Sequence, residues 1–584
     1  MLMKHFFTGI LLCACGLLMQ HSLMAQEPVG NRTTNNDTTR PIHFSGLKLT
    51  DTKLDSVREN TIVVGQVFFI DRSTKFYCDS AIYRKPEEVV EAFGHVHIID
   101  SDTVHAWGDY MIYYKNTRTA TLKKNVKMTD GKATLTTDEF EYNSAYKTGT
   151  YRNGGTLVNG KTVMTSTDAI YYSELKDVYF KNNVKLRDPA YKLDSDSLLY
   201  NTQSQIATFI TKTYIEDSTK KKITTTEGYY DTKNKAALFT KRTTVVDGSS
   251  TITANNLSFD DQSGANHATG NVVFKDSAQN ITIMSNSMEG NRNTNTMKAT
   301  EQPLAIIKQD KDSIYISADI LFSGMLTDTT GKKDTLMVKN VKQAKATDIK
   351  NDSANNGKRY LLGYYNVRIF SDSTQAICDS LYYSGEDSIF RLITHPIVWA
   401  SKSQVTGDTI YLYTENKKPS RFYVFENGIV INRLDEGGYF NQLQGHTING
   451  YFKNGEIDYV RAKGSAESIY YAQDEHKAFV GVNRATGDII DIRFVNKEVN
   501  KVVFISEVSG TMYPFRQVNN DEMRLKNFKW LDEYRPKTKF ELFEPPAKKF
   551  KLKEGNNDDD DEEDNKKPEA KPVAKPDSTV KKVQ

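Results

Sequence analysis

The sequence predicts an all-β chain built from strand-pair repeats about 30 residues long, and three observations predict it. A polar marker recurs at Asp71, Asp100, Asp130, Asn159, Asp188, Asp217, Asp247 and Asp276, in steps of 29, 30, 29, 29, 29, 30 and 29 residues. Each marker closes a run of β-formers, as in Val67-Phe68-Phe69-Ile70-Asp71 and Val272-Val273-Phe274-Lys275-Asp276. The composition agrees: Tyr (32) and Phe (28) are abundant and Pro is scarce (14), which favours strands over helices and disorder.

A second strand follows each marker. It reads polar, any, apolar, any, aromatic or apolar in Asp109-Tyr110-Met111-Ile112-Tyr113, Asp138-Glu139-Phe140-Glu141-Tyr142 and Asp196-Ser197-Leu198-Leu199-Tyr200. Self-similarity at this period signals stacked units that share one core, because a single unit has no partner for its apolar face. Stacking also exempts the 584 residues from the usual domain count.

From the amino end, Lys4 and His5 precede an apolar run from Phe6 to Leu18 and then Ser22-Leu23-Met24-Ala25, so residues 1–25 read as a secretory signal peptide. Cys15 lies in a box that resembles a lipoprotein site, but the apolar run continues beyond it. A flexible leader is expected over 26–45 and a first repeat lobe over 46–325. A polar loop or junction follows over 326–359, then a second lobe over 360–544 and a charged, disordered tail over 545–584, which contains the acidic block Asp558 to Asp564. No later segment approaches the ~18–20 apolar residues of a spanning helix. The mature protein is expected to be exported. Cys78 and Cys378 occupy equivalent places ten periods apart, on the order of 48 Å at one strand spacing per period, too far for a disulfide.

Alternation assigns the faces. Phe140 and Tyr142 share one face while Glu139 and Glu141 share the other. The inward set is therefore Ala81, Tyr83, Met111, Tyr113, Phe140, Tyr142, Ile170, Tyr172, Leu198, Tyr200, Leu257 and Phe259. Two readings stay open. The sheets pack on each other around a dry core, or they splay and leave a slot for acyl chains, each buried methylene contributing ~0.8 kcal/mol.

The repeat motif, Gly-x-Val at Gly65-Gln66-Val67, Gly94-His95-Val96 and Gly270-Asn271-Val272 with the aromatic segments above, resembles the OstA/LptA family of lipopolysaccharide-transport proteins, over roughly residues 46–510. The resemblance implies an elongated open β-jellyroll, the β-taco form, whose groove binds the acyl chains of lipid A. It also implies partners: lipopolysaccharide, other Lpt-type jellyroll proteins joined by edge-strand pairing, and an outer-membrane LptD-like barrel. The chain itself has too few strands after Glu498 to form such a barrel.

Other chemistries find little support. Balanced charge, 77 basic against 74 acidic residues, argues against nucleic acid. The markers stand alone without the Gly-rich nonapeptide of calcium ladders, so turn capping is their expected role. His95, His97 and His105 are the one cluster with metal-like spacing, and no Cys or carboxylate completes it, so neither a metal nor a cofactor is expected. Nor is there an HExxH, a Walker loop, a GxSxG elbow or a dinucleotide fingerprint, which points away from an enzyme. Glu139 and Glu141 alone resemble a carboxylate pair. The rival to a lipid carrier is an exported structural or adhesive β-solenoid with no slot.

Overall fold

The computed structural model describes residues 41–543, apart from gaps at 54–58, 309–312 and 327–358 and several of one to three residues. The expected signal peptide, most of the leader, most of the 326–359 segment and the charged tail lie outside the described residues. The described chain is all-β: antiparallel strands follow one another from His43 to Pro514, and short 3₁₀ turns at Phe515–Gln517, Asp532–Tyr534 and Lys539–Leu542 are the only helical elements among the described residues.

Contacts divide it into two compact units, one reaching Pro189 and resuming at Asp194–Gln205, the other comprising Ala190–Leu193 and the chain from Ile206. In the first, Glu59–Asp71, Thr74–Arg84, Val89–Asp100, Val104–Tyr114, Thr119–Thr129 and Thr134–Asn143 form a meander, each strand paired with the next. The register shifts halfway along each pairing, between Val64 and Val67 and again between Phe93 and Val96. At those shifts Gly65 and Gln66, then Gly94 and His95, have positive φ. These bulges bend each strand, so its two halves belong to two facing sheets. The Gly-x-Val motif is thus the corner of the fold. Gly94 is required there, because a Cβ would lie 2.2 Å from Asp79 Oδ2 in a backbone with φ of +72°. Later repeats replace one bent strand by two short ones: Thr148–Tyr151 pairs beside Glu141–Asn143 in one sheet, and Gly155–Asn159 beside Thr134–Thr137 in the other.

Between the sheets lie the residues that alternation turns inward. Val67, Phe69, Val96, Ile98, Met111, Leu122 and Phe140 are at most 1% exposed. Cys78 is buried here as a free thiol, and burial pushes its pKa up to about 12, so it stays protonated and unreactive. Cys378 is likewise free and buried in the second unit, with its pKa raised by burial.

The second unit repeats the design. Ile320–Met325 pairs directly with Arg359–Phe370, Met325 opposite Arg359, so the segment between them connects neighbouring strands. Four long bent strands, Lys418–Arg433, Phe440–Lys453, Glu456–Gln473 and Phe479–Val495, lead to its end. Residues 515–543 then run back as a strap across the face of the sheet turned away from the interior. Met523 and Leu525 pack there with Ile429, Ile431, Ile469, Tyr471 and Val482, flanked by Phe528 and Trp530.

Buried glutamines bind the strap. Gln442 donates from Nε2 to the Met523 carbonyl (2.9 Å) and accepts from the Leu525 amide (2.8 Å). Gln404 does the same with the Lys529 carbonyl (2.7 Å) and the Leu531 amide (2.8 Å). Each side-chain amide thereby takes the place of a paired strand. Gln442→Ala leaves a buried N–H and C=O unpaired and is expected to cost about 1–3 kcal/mol, with faster hydrogen exchange at the Leu525 amide. Unchanged exchange there would show that the strap is held by its apolar residues alone.

Candidate functional site

The candidate site is the apolar space between the two sheets of the first unit. Of the predicted inward residues, Ala81, Met111, Tyr113 and Phe140 are fully buried there, and Tyr142, Leu198 and Tyr200 are at most 1% exposed. Tyr83 is half-buried, its ring 5.5 Å from that of Phe44. Leu257 (2% exposed) and the half-buried Phe259 belong to the second unit.

Ile170 and Tyr172 require correction. They face outward, Tyr172 being 36% exposed, while their neighbours Ala169 and Tyr171 are buried. The reason is a one-residue change of phase: Gly108 precedes Asp109 and Met111 in one repeat, whereas Ser166-Thr167 precedes Asp168 in another, so the inward positions fall one residue sooner after the acid. The signal was available in the chain, because Tyr113, Tyr142, Tyr171 and Tyr200 recur at steps of 29.

Those four tyrosines meet the markers. Tyr113 donates its hydroxyl to Asp71, Tyr142 to Asp100 at 2.5 Å and Tyr171 to Asp130 at 2.9 Å. At the fourth rung the marker is Asn159, whose Nδ2 donates to the Tyr200 oxygen (3.3 Å) and to the Thr202 carbonyl (2.9 Å). Each tyrosine is the last inward residue of its strand before the turn, and each marker ends, or in Asp130 directly follows, a strand of the facing sheet. The bonds therefore run from the rim of one sheet to the rim of the other. Lys147 Nζ adds an ion pair to both oxygens of the fully buried Asp100 at 2.7 Å.

The markers also cap turns, as expected. Asp130 Oδ1 accepts from the Lys132 and Ala133 amides, both at 2.9 Å, while Oδ2 takes the Tyr171 and Thr202 hydroxyls. Burial alone would raise this carboxyl's pKa. The hydrogen bonds outweigh it and hold the pKa below the ordinary carboxylate value. Burial, and then the charge of Asp130, raises the Tyr171 pKa, so the phenol remains a donor. A depressed carboxyl pKa gives stability that is present above the unfolded value, near pH 4, and is lost as pH falls through the folded value. Lowering the pH from 5 to 2 is therefore expected to reduce the thermal midpoint less in Asp130→Asn than in the native chain. Parallel pH profiles would refute the assignment.

The interior is filled. A cavity of about 10 Å³ lined by Met128, Leu135, Tyr151, Leu157 and Tyr171 among others has room for about one water. Rim bonds and packing together close the space between the two sheets.

Elsewhere, His95 sits on the corner bulge and bonds Asp79 (2.8 Å), apart from His97, which stacks on Trp107 and meets His105 at 3.1 Å. No group of three or more His, Cys, Asp or Glu side chains suited to a metal occurs among the described residues. Glu139 pairs with Lys123 at 3.3 Å. No helix among the described residues is long and apolar enough to cross a membrane, which says nothing of a β-barrel.

Comparison with known proteins adds two similarities. Among solved structures, the chain is similar to LptH, described as the LptA-homologous periplasmic component of the conserved lipopolysaccharide transport device from Pseudomonas aeruginosa. The identity is 15%, over 18% of this chain and 79% of that one, with a TM-score of 0.17. No curated protein matches. The model of the OstA-like protein family matches residues 47–196, the stretch that holds the corner glycines Gly65 and Gly94 and the first three tyrosine–aspartate rungs. Over residues 47–196, then, this chain is similar to the OstA-like proteins.

Proposed function

We propose that the protein is a non-catalytic, periplasmic lipopolysaccharide-binding protein that carries or bridges lipid A toward the outer membrane. The observation behind this reading is the OstA-like segment, whose two sheets enclose an apolar interior from Phe69 to Phe140. Acyl chains would enter by parting the tyrosine–aspartate rim and displacing side-chain contacts, while the sugar and phosphate head stays in solvent. The exposed strands Lys48–Lys53 and Ser509–Pro514 are the candidate edges for pairing with another Lpt-type protein. The filled interior favours a second reading, an exported structural β-solenoid without a slot.

Native mass spectrometry of the exported protein incubated with purified lipopolysaccharide separates the two. Lipid adducts are expected in the native chain and are expected to increase in the Tyr113→Phe, Tyr142→Phe, Tyr171→Phe variant, whose rim is weakened. If both proteins, each shown to be folded by circular dichroism, remain free of lipid, the carrier reading fails and the structural one stands.

A further inference from the structure

The second unit carries a ladder of arginine and tyrosine on the face of its sheet turned away from the core. Along one row of paired residues run Tyr382, Arg391, Tyr411, Tyr423, Asn449 and Arg461. In the adjacent row Tyr413, Arg421, Tyr451, Tyr459 and Arg493 are paired in turn. The alternate residues of the same strands, Leu392, Ile410, Val424, Ile448 and Ile490, are fully buried, which fixes the ladder on the solvent side.

The guanidinium groups are already stacked on the rings. Arg391 lies 5.1 Å from the Tyr382 ring and 5.4 Å from that of Tyr411. Arg421 sits among Tyr413 (5.0 Å), Tyr423 (5.4 Å) and Tyr451 (5.4 Å), and Arg493 lies 5.3 Å from Tyr459. Stacking immobilises these cations before any ligand arrives, which lowers the entropic cost of binding. Their charge is only partly answered. Arg391 pairs with Asp387 and Arg461 with Asp491 (2.7 Å). Arg421 bonds instead to the neutral Asn449 Oδ1 (2.9 and 2.6 Å), and neither it nor Arg493 pairs with a carboxylate among the described residues.

Spacing identifies the ligand class. Arg391, Arg421 and Arg461 lie on strands two apart, which places successive guanidinium groups, the outer two already paired with carboxylates, on the order of 10 Å apart. That is close to the length of a pair of sugar rings. Phenol rings on the outer face of a sheet offer faces for the C–H side of a pyranose, and guanidinium forks bind carboxylate or phosphate through paired N–H donors. We propose that this ladder is a binding surface for an anionic glycan, a saccharide chain whose acidic groups recur at least once in every two rings. The site is separate from the apolar interior and does not depend on the lipid reading.

Titration calorimetry with oligogalacturonate, with maltohexaose as the neutral control and polyglutamate as the non-sugar polyanion, tests it. Oligogalacturonate is expected to bind best, to weaken as salt rises, and to weaken about tenfold or more in Arg421→Gln with Arg493→Gln, while lipopolysaccharide adducts stay unchanged. The single Arg493→Gln, at an exposed position, serves if the double variant misfolds, and is expected to weaken binding in the same direction. Absence of oligogalacturonate binding to the native chain overturns the proposal, as does equal binding of maltohexaose or polyglutamate, or an affinity unaltered in the folded variants.

Discussion

Asp100→Ala is expected to destabilise the first unit by about 3–5 kcal/mol, because it leaves a lysine ammonium without the carboxylate that compensates its desolvation. The Asp100 side chain is fully buried and that of Lys147 is 21% exposed, with both carboxylate oxygens 2.7 Å from Nζ. The same carboxylate accepts the Tyr142 hydroxyl at 2.5 Å and a longer bond from Thr74 at 3.4 Å. Alanine would therefore orphan a buried phenol as well. Tyr142→Phe removes one bond to a charged group and is expected to cost less, about 1.5–3 kcal/mol. Urea denaturation followed by tyrosine fluorescence measures both. A loss below about 1 kcal/mol for Asp100→Ala would mean that water replaces the carboxylate and that the rim does not hold the sheets together.

Trp399→Ala is expected to cost about 3–5 kcal/mol in the second unit. The indole is fully buried, pairs across the sheet with Gln375 and Gln404, and donates Nε1–H to Gln404 Oε1 at 3.3 Å. That oxygen also accepts the Leu531 amide, so the cavity left by alanine would free the glutamine that binds the strap. Two readouts should move together: the unfolding midpoint, and the exchange rate of the Leu531 amide. A lower midpoint with Leu531 still protected would show that the strap docks independently of the sheet beneath it.

Much of this architecture was legible along the chain because alternation and turn chemistry are local. The 29- and 30-residue steps of the markers located the strand ends, and the Gly-x-Val triplets proved to be the corners at which each strand passes between sheets. Inward residues such as Met111 and Phe140 followed from period-2 patterning. The same rule misplaced Ile170 and Tyr172, since one residue of phase exchanges the faces of a strand, and the acid chosen as reference was itself displaced. The strap left no periodic trace: Met523, Leu525, Phe528 and Trp530 follow no repeat, and their partners Gln404 and Gln442 read as ordinary polar positions.

The sequence by itself determined the class, the repeat and the inward face, because each depends on neighbours within one strand or one turn. Only the tertiary structure decided that the rims are joined and the interior filled. Tyr142 reaches Asp100 across 42 residues, a partnership set by the stagger of one sheet against the other. Such a stagger arises from the sum of bends and twists along the meander, and no single segment encodes it.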